Sequence, residues 1–122
     1  MGKILLVDDD DNLREIIGRF LRQADHVVTM AANGNEALRL VGDGVFDLVI
    51  TDLVMPGKEG IETIMELRRK LPALKIIAMS GGGHFAPECY LAIARNLGVA
   101  RTLAKPFSGE DLLAAVACVL SH

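Results

Sequence analysis

Asp47-Leu48-Val49-Ile50-Thr51-Asp52-Leu53-Val54-Met55-Pro56-Gly57 lies near the middle of the chain. Its first part is a short strand, Leu48–Thr51, delivered to a single acid, Asp52, and Pro56-Gly57 then breaks the chain. Working back toward the start, Lys3-Ile4-Leu5-Leu6-Val7 is a nearly continuous apolar run that stops at Asp8-Asp9-Asp10-Asp11. An unbroken run of this length fits a parallel strand covered on both faces, since a half-exposed strand would alternate. Between the two, Asn12-x-x-Glu15 suggests a capping arrangement that opens a helix. Leu13, Ile16, Ile17, Phe20 and Leu21 then follow the i, i+3, i+4, i+7, i+8 template. A second strand is expected over about His26–Ala31. Asn33-Gly34 turns into a short helix through Ala37, Leu38 and Val41.

Toward the C-terminus the alternation continues. A helix over about Glu59–Lys70 should send Ile61, Ile64, Met65 and Leu71 to the core, with Pro72 closing it. Lys75–Met79 is a fourth strand ending at Ser80, and Gly81-Gly82-Gly83 is a loop. A helix from about Pro87 to Leu97 stops at Gly98. Val99–Ala104 holds the fifth strand and ends at Lys105-Pro106. Ser108-x-x-Asp111 caps a last helix, with Phe107 and Leu112 placed as a hydrophobic staple. Five βα units in a row predict an α/β fold, a doubly wound (βα)5 parallel sheet with helices on both faces. One domain across residues 1–122 is expected at this length.

Composition narrows the function. With 51% hydrophobic and 24% charged residues the chain has a core-forming balance, not a disordered one. A net charge of −3 argues against a nucleic acid or an acidic membrane surface as partner. Arg68-Arg69-Lys70, the one basic cluster, reads as the solvated end of a helix, where cations complement the dipole. No apolar run is long enough to span a bilayer and no cleavable leader is visible, which points to the cytoplasm. In that reducing setting Cys89 and Cys118, both in apolar helical stretches, are small core residues and not a disulfide. His26, His84 and His122 are read as histidines without a special role.

In open α/β sheets the functional crevice lies beyond the carboxyl ends of the strands. The residues expected there are Asp8 and Asp9, Asp52, Ser80 and Lys105. Two carboxylates about 4 Å apart repel by roughly 4 kcal/mol at an effective dielectric near 20, so three acids at one edge require compensation. Mg²⁺ is the natural partner of carboxylate and carbonyl oxygens. Together with the Lys105 ammonium it balances the three acids. A site so arranged is suited to an incoming phosphoryl group, with Asp52 as nucleophile. Taken singly, each acid could be a turn former or a helix cap, and Asp10 and Asp11 are read that way.

Ile4-Leu5-Leu6-Val7-Asp8-Asp9-Asp10, Leu48–Gly57 and Lys105-Pro106-Phe107 together closely resemble the receiver domains of two-component response regulators, over essentially the whole chain. The resemblance implies a flavodoxin-like sheet in the order 2-1-3-4-5. It implies Asp52 as phosphoacceptor, Asp8, Asp9, Asp52 and the Val54 carbonyl as Mg²⁺ ligands, Ser80 as the switch hydroxyl and Lys105 as the site's lysine. It implies a sensor histidine kinase or a histidine phosphotransfer protein as phosphoryl donor. A downstream protein would dock on the face made by the 87–97 helix, the fifth strand and the last helix, and a phosphorylation-dependent dimer is left open. Three departures from the family pattern stand out: Thr102 where an aromatic residue is common, a longer segment from Ser80 to Lys105, and Lys58-Glu59 ahead of Gly60.

Two other classes share parts of this pattern. A haloacid-dehalogenase-type phosphatase also uses a strand-end Asp with Mg²⁺, and Asp8-x-Asp10 gives its spacing. However, Asp11-Asn12 follows where Gly-Thr is expected, and Asp52 would have no role. A nucleotide-binding module would need a glycine-rich phosphate loop after the first strand, and none is there.

Overall fold

The structure, a computed structural model of the chain, describes residues 2–53, 60–80, 92 and 95–121. Five strands, β1 (Lys3–Val7), β2 (Val27–Ala31), β3 (Leu48–Asp52), β4 (Lys75–Ser80) and β5 (Arg101–Ala104), form one parallel sheet. Their order is β2-β1-β3-β4-β5, as expected. Val7 lies opposite Thr51, Asp52 opposite Met79, and Ser80 opposite Ala104, so the carboxyl ends of the four inner and right-hand strands finish level.

Side chains of β1 alternate between two cores. Leu5 and Val7 join Val49, Ala37, Val41, Ile64 and Leu67 on one face, while Ile4 and Leu6 join Ile50, Ile17, Leu21, Leu112 and Val116 on the other. Both faces are therefore apolar, which is why the strand sequences show no polar alternation. The first face is covered by α2 (Gly34–Asp43) and α3 (Gly60–Lys70), the second by α1 (Asp11–Gln23) and the last helix, Gly109–Leu120.

Element ends carry the differences from the sequence reading. The cap of α1 is Asp10, whose Oδ1 accepts from the Leu13 N–H at 3.1 Å; Asn12 is already inside the helix. Asn33 and Ser108 cap α2 and the last helix as expected, and the capping box of Ser108 with Asp111 is complete. Phe107 and Leu112 share one core cluster, consistent with the staple. β2 begins at Val27 because His26 still belongs to the preceding turn, its N–H donating to the Leu21 carbonyl. β5, Arg101–Ala104, falls within the stretch expected to hold it.

Two helical faces are narrower than the periodicity suggested. Ile17 and Leu21 of α1 are buried, but Ile16 is 50% exposed and Phe20 37%. In α3 the inward stripe is Gly60, Thr63, Ile64 and Leu67, while Met65 and Leu71 face solvent. Gly60 allows the start of α3 to lie directly on the end of β3, and the stripe Gly60, Thr63, Ile64, Leu67 that faces the sheet excludes Met65. Arg69 and Lys70 are exposed at the end of α3, the solvated helix terminus expected of them. Cys118 is a half-buried free thiol. Gly98, at φ +81, ends the 87–97 segment with its N–H on the Arg95 carbonyl. Most of that expected helix, with Cys89, His84 and the triple glycine, lies outside the described residues, as does His122.

Candidate functional site: an acidic strand edge with a lysine

Asp8 is the first residue after β1, Asp52 the last of β3, Ser80 the last of β4, and Lys105 the first after β5. Their shared edge follows from parallel pairing in near-level register, extended by the Lys105 N–H donating to the Ser80 carbonyl at 2.7 Å. Asp8 and Asp52 are buried and Asp9 is exposed. One carboxylate oxygen from each of the three acids lies within 4.8 Å of the others. Lys105 Nζ donates to Asp52 Oδ2 at 2.7 Å and to Asp8 Oδ2 at 3.3 Å. Asp8, Asp9, Asp52 and Lys105 are thus brought together; Ser80 ends the adjacent strand β4, and Val54 lies outside the described residues.

Each member is held by backbone. The Asp8 N–H donates to the Ala31 carbonyl at 3.2 Å, and Asp8 Oδ1 accepts from the Asp10 N–H at 3.0 Å. The Leu53 N–H donates to the Met79 carbonyl at 2.9 Å, fixing the chain just beyond Asp52. The Gly60 N–H donates to the Leu53 carbonyl at 3.1 Å. A Cβ on Gly60 would lie 2.6 Å from Leu53 Cα and closer still to the Asp52 carbonyl oxygen, so only glycine allows this approach.

The charges are strained against one another. Burial raises the Asp8 carboxyl above its ordinary range, and the nearby Asp52 charge adds to the effect. The Asp10 N–H and the Lys105 ammonium oppose them without prevailing. For Lys105, burial alone would lower the ammonium, but the Asp52 hydrogen bond and the charges of Asp52 and Asp8 raise it overall. Ser80 Oγ is fully buried and has no hydrogen-bond partner among the described residues. A buried hydroxyl without a hydrogen bond costs about 1–3 kcal/mol, so a polar partner supplied there would be stabilising.

The sequence reading missed two contributors. Arg14, on the first turn of α1, donates through Nη1 to the Asp8 carbonyl at 2.7 Å. Its one sequence signal is the i, i+3 spacing to Asp11, whose Oδ1 takes Nη2 at 2.6 Å. Gly60 was visible only as a glycine after a break. His26, read as unremarkable, is half-buried, and its Nδ1 accepts from the Gly2 N–H at 3.0 Å. Asp10 is engaged as a helix cap. A phosphatase would need that carboxylate beside Asp8.

A family model described as the response regulator receiver domain matches residues 4–117. The chain belongs to that family. Among curated proteins, this receiver domain is 36% identical over 120 residues to the transcriptional regulatory protein CpxR of Klebsiella pneumoniae, covering 98% of the chain and 50% of that protein. The chain thus spans about half the length of the curated relatives it matches. Among solved structures, a putative response regulator from Chloroflexus aurantiacus superposes with a TM-score of 0.90 at 29% identity, covering 99% of this chain and 98% of that one. The chemotaxis response regulator CheY4 of Vibrio cholerae gives 0.86 at 30% identity, covering 98% of each. Receiver domains are signalling domains that work by phosphorylation in two-component systems, and the family binds Mg²⁺ through acidic residues. Among the described residues, no helix is long and apolar enough to cross a membrane.

Proposed function

We propose that this receiver domain, as a single unit over residues 1–122, takes a phosphoryl group onto the carboxylate of Asp52. The observation that carries the reading is the placement of that carboxylate: buried, 2.7 Å from the Lys105 ammonium, and beside two further acids. The Asp52 oxygen attacks phosphorus, the bond from phosphorus to the donor histidine nitrogen breaks, and the electron pair stays with the imidazole. Lys105 supports the growing charge on the phosphoryl oxygens. The Ser80 hydroxyl, buried and without a hydrogen bond among the described residues, would donate to one of them.

Asp8, Asp9 and Asp52, with the Val54 carbonyl, are the residues that would hold Mg²⁺. Three hard oxygen donors gathered within 4.8 Å, with one ammonium to balance them, fit such an ion. When bound, it supplies positive charge between the acids and the phosphoryl oxygens. The donor in this reading is a phosphohistidine on a sensor histidine kinase or a histidine phosphotransfer protein. The output is a population shift of the face built by the 87–97 segment, β5 and the last helix, recognised by a downstream protein in the cytoplasm. The domain is a switch, with no turnover of an external substrate.

Acetyl phosphate with Mg²⁺ tests this directly. One acid-labile, hydroxylamine-sensitive phosphoryl group is expected by intact-mass measurement at neutral pH, and Asp52→Asn should abolish it while retaining the fold. Labelling of the Asp52→Asn protein at the wild-type rate would overturn the assignment.

A further inference from the structure

We propose that Arg14 is a positioning residue of the acidic site, acting through the peptide that joins Asp8 to Asp9. This rests on the Mg²⁺ reading above and adds to it a residue outside the ligand set.

The geometry is specific. The Arg14 side chain is only 15% exposed, although arginine is ordinarily a surface residue. Its guanidinium turns back from α1 to the loop after β1. There Nη1 holds the Asp8 carbonyl oxygen at 2.7 Å and Nη2 holds Asp11 Oδ1 at 2.6 Å. The Asp11 side chain is 83% exposed, so that arm is a solvated anchor, whereas the arm to Asp8 is sheltered. The Asp8 carbonyl is part of the same rigid plane as the Asp9 N–H. Fixing that oxygen therefore fixes the direction in which the chain enters Asp9, and with it the origin of the exposed Asp9 carboxylate. Asp8 itself is secured by the Ala31 carbonyl, the Asp10 N–H and Lys105. Among the described residues the Asp9 side chain makes no hydrogen bond or ion pair, so the peptide plane is the part of the structure that brings its oxygen toward the other two.

Charge and positioning make opposite predictions. Arg14 is a cation close to a cation site, so by Coulomb repulsion alone its removal should tighten Mg²⁺ binding. If its role is to orient the acidic pair, removal should weaken binding, and outer-shell partners of metal ligands typically account for about 10–100-fold in affinity.

The experiment compares wild type, Arg14→Met, Arg14→Lys and Asp11→Asn by calorimetric titration with Mg²⁺ and by thermal unfolding in EDTA. Arg14→Met is expected to weaken Mg²⁺ by roughly tenfold. Arg14→Lys, which can still reach the Asp8 carbonyl, should recover part of that loss. Asp11→Asn should change affinity by less than about twofold. Unchanged or tighter Mg²⁺ binding in both Arg14 variants would overturn the proposal, even if their melting temperatures fall. Should Arg14→Met not fold, Arg14→Lys decides by the same criterion. A wild type that takes up no Mg²⁺ would instead overturn the metal reading itself, and the proposal with it.

Discussion

Gly60→Ala sets two known effects against each other, and the structure says which wins. Alanine is favoured over glycine in a helix by up to about 1 kcal/mol, so on propensity alone the substitution should stabilise α3. The new Cβ would stand 2.6 Å from Leu53 Cα and 2.7 Å from Leu53 C, where ordinary contact begins at 3.4 Å. These neighbours are backbone, so no rotamer change relieves the clash. Because the Asp52 carbonyl oxygen lies nearer still, the start of α3 must retreat by an ångström or more, stretching the bond from the Gly60 N–H to the Leu53 carbonyl. Overpacking of this kind costs about 1–3 kcal/mol, more than the propensity gain. A net loss of roughly 1–2 kcal/mol corresponds to a melting temperature lower by about 4–8 °C in a domain of this size.

The same displacement moves the backbone that carries Asp52. A shift of about 1 Å in a reacting group can cost on the order of a hundredfold in rate. Phosphorylation by acetyl phosphate should therefore slow by roughly 10- to 100-fold in Gly60→Ala. Gly42→Ala in α2 is the control, since a Cβ there meets nothing within 4 Å. It should be neutral or stabilising by up to about 1 kcal/mol, and should label at the wild-type rate. If Gly60→Ala melts at or above the wild-type temperature and labels normally, the close approach of α3 to β3 does not govern the site.

Other perturbations address the charges. Lys105→Met leaves Asp52 and Asp8 without their shared ammonium. It should cost about 2–3 kcal/mol in EDTA by denaturant titration, and less with Mg²⁺ present. Asp8→Asn should do the reverse. Its carboxyl is raised above the unfolded value of 3.8, so the stability linked to its proton is present below 3.8 and lost as pH rises through the folded value. At neutral pH in EDTA the variant should therefore melt above wild type, and a lower melting temperature would contradict the burial penalty. Asp9→Ala should weaken Mg²⁺ more than Asp10→Ala does, because Asp10 is engaged as a cap; equal effects in a titration would refute that division. Burial lowers the His26 imidazole below 6.5, and its Nδ1 accepts a hydrogen bond that only the neutral ring can take. The stability it contributes is present above pH 6.5 and lost as pH falls through the folded value. His26→Leu should flatten that slope in melting curves.

Much of this was readable from residue order because parallel pairing converts strand ends into spatial neighbours. Once Val7, Thr51, Met79 and Ala104 are recognised as lying at or next to the ends of level strands, Asp8, Asp52, Ser80 and Lys105 have to converge. Helix faces were less legible. In α3 Met65 was read as inward and Leu67 was missed, because two of the four buried positions at i, i+3, i+4, i+7 spacing are Gly60 and Thr63, which carry no apolar signal. The cap of α1 was misassigned because Asp10, Asp11 and Asn12 are all competent side chains. Only the turn out of β1 selects Asp10. Arg14 was invisible for another reason: its partner is a backbone carbonyl, and carbonyls carry no signature in sequence.

The costs in this edge are also what make it receptive. A raised Asp8 carboxyl and a buried Ser80 hydroxyl with no partner among the described residues each draw on the stability of the fold. An apolar replacement of similar shape would relieve both, as it often does for buried charge. Two cores on either side of the sheet, with β1, β3 and β4 almost wholly enclosed, hold these groups in place despite that cost. Positive charge at the acids and a phosphoryl oxygen beside Ser80 would remove both penalties together. If Asp52 takes a phosphoryl group as proposed, the stabilisation gained is the deficit already present in the resting fold, and it would favour a second arrangement of β5 and its neighbours over the first.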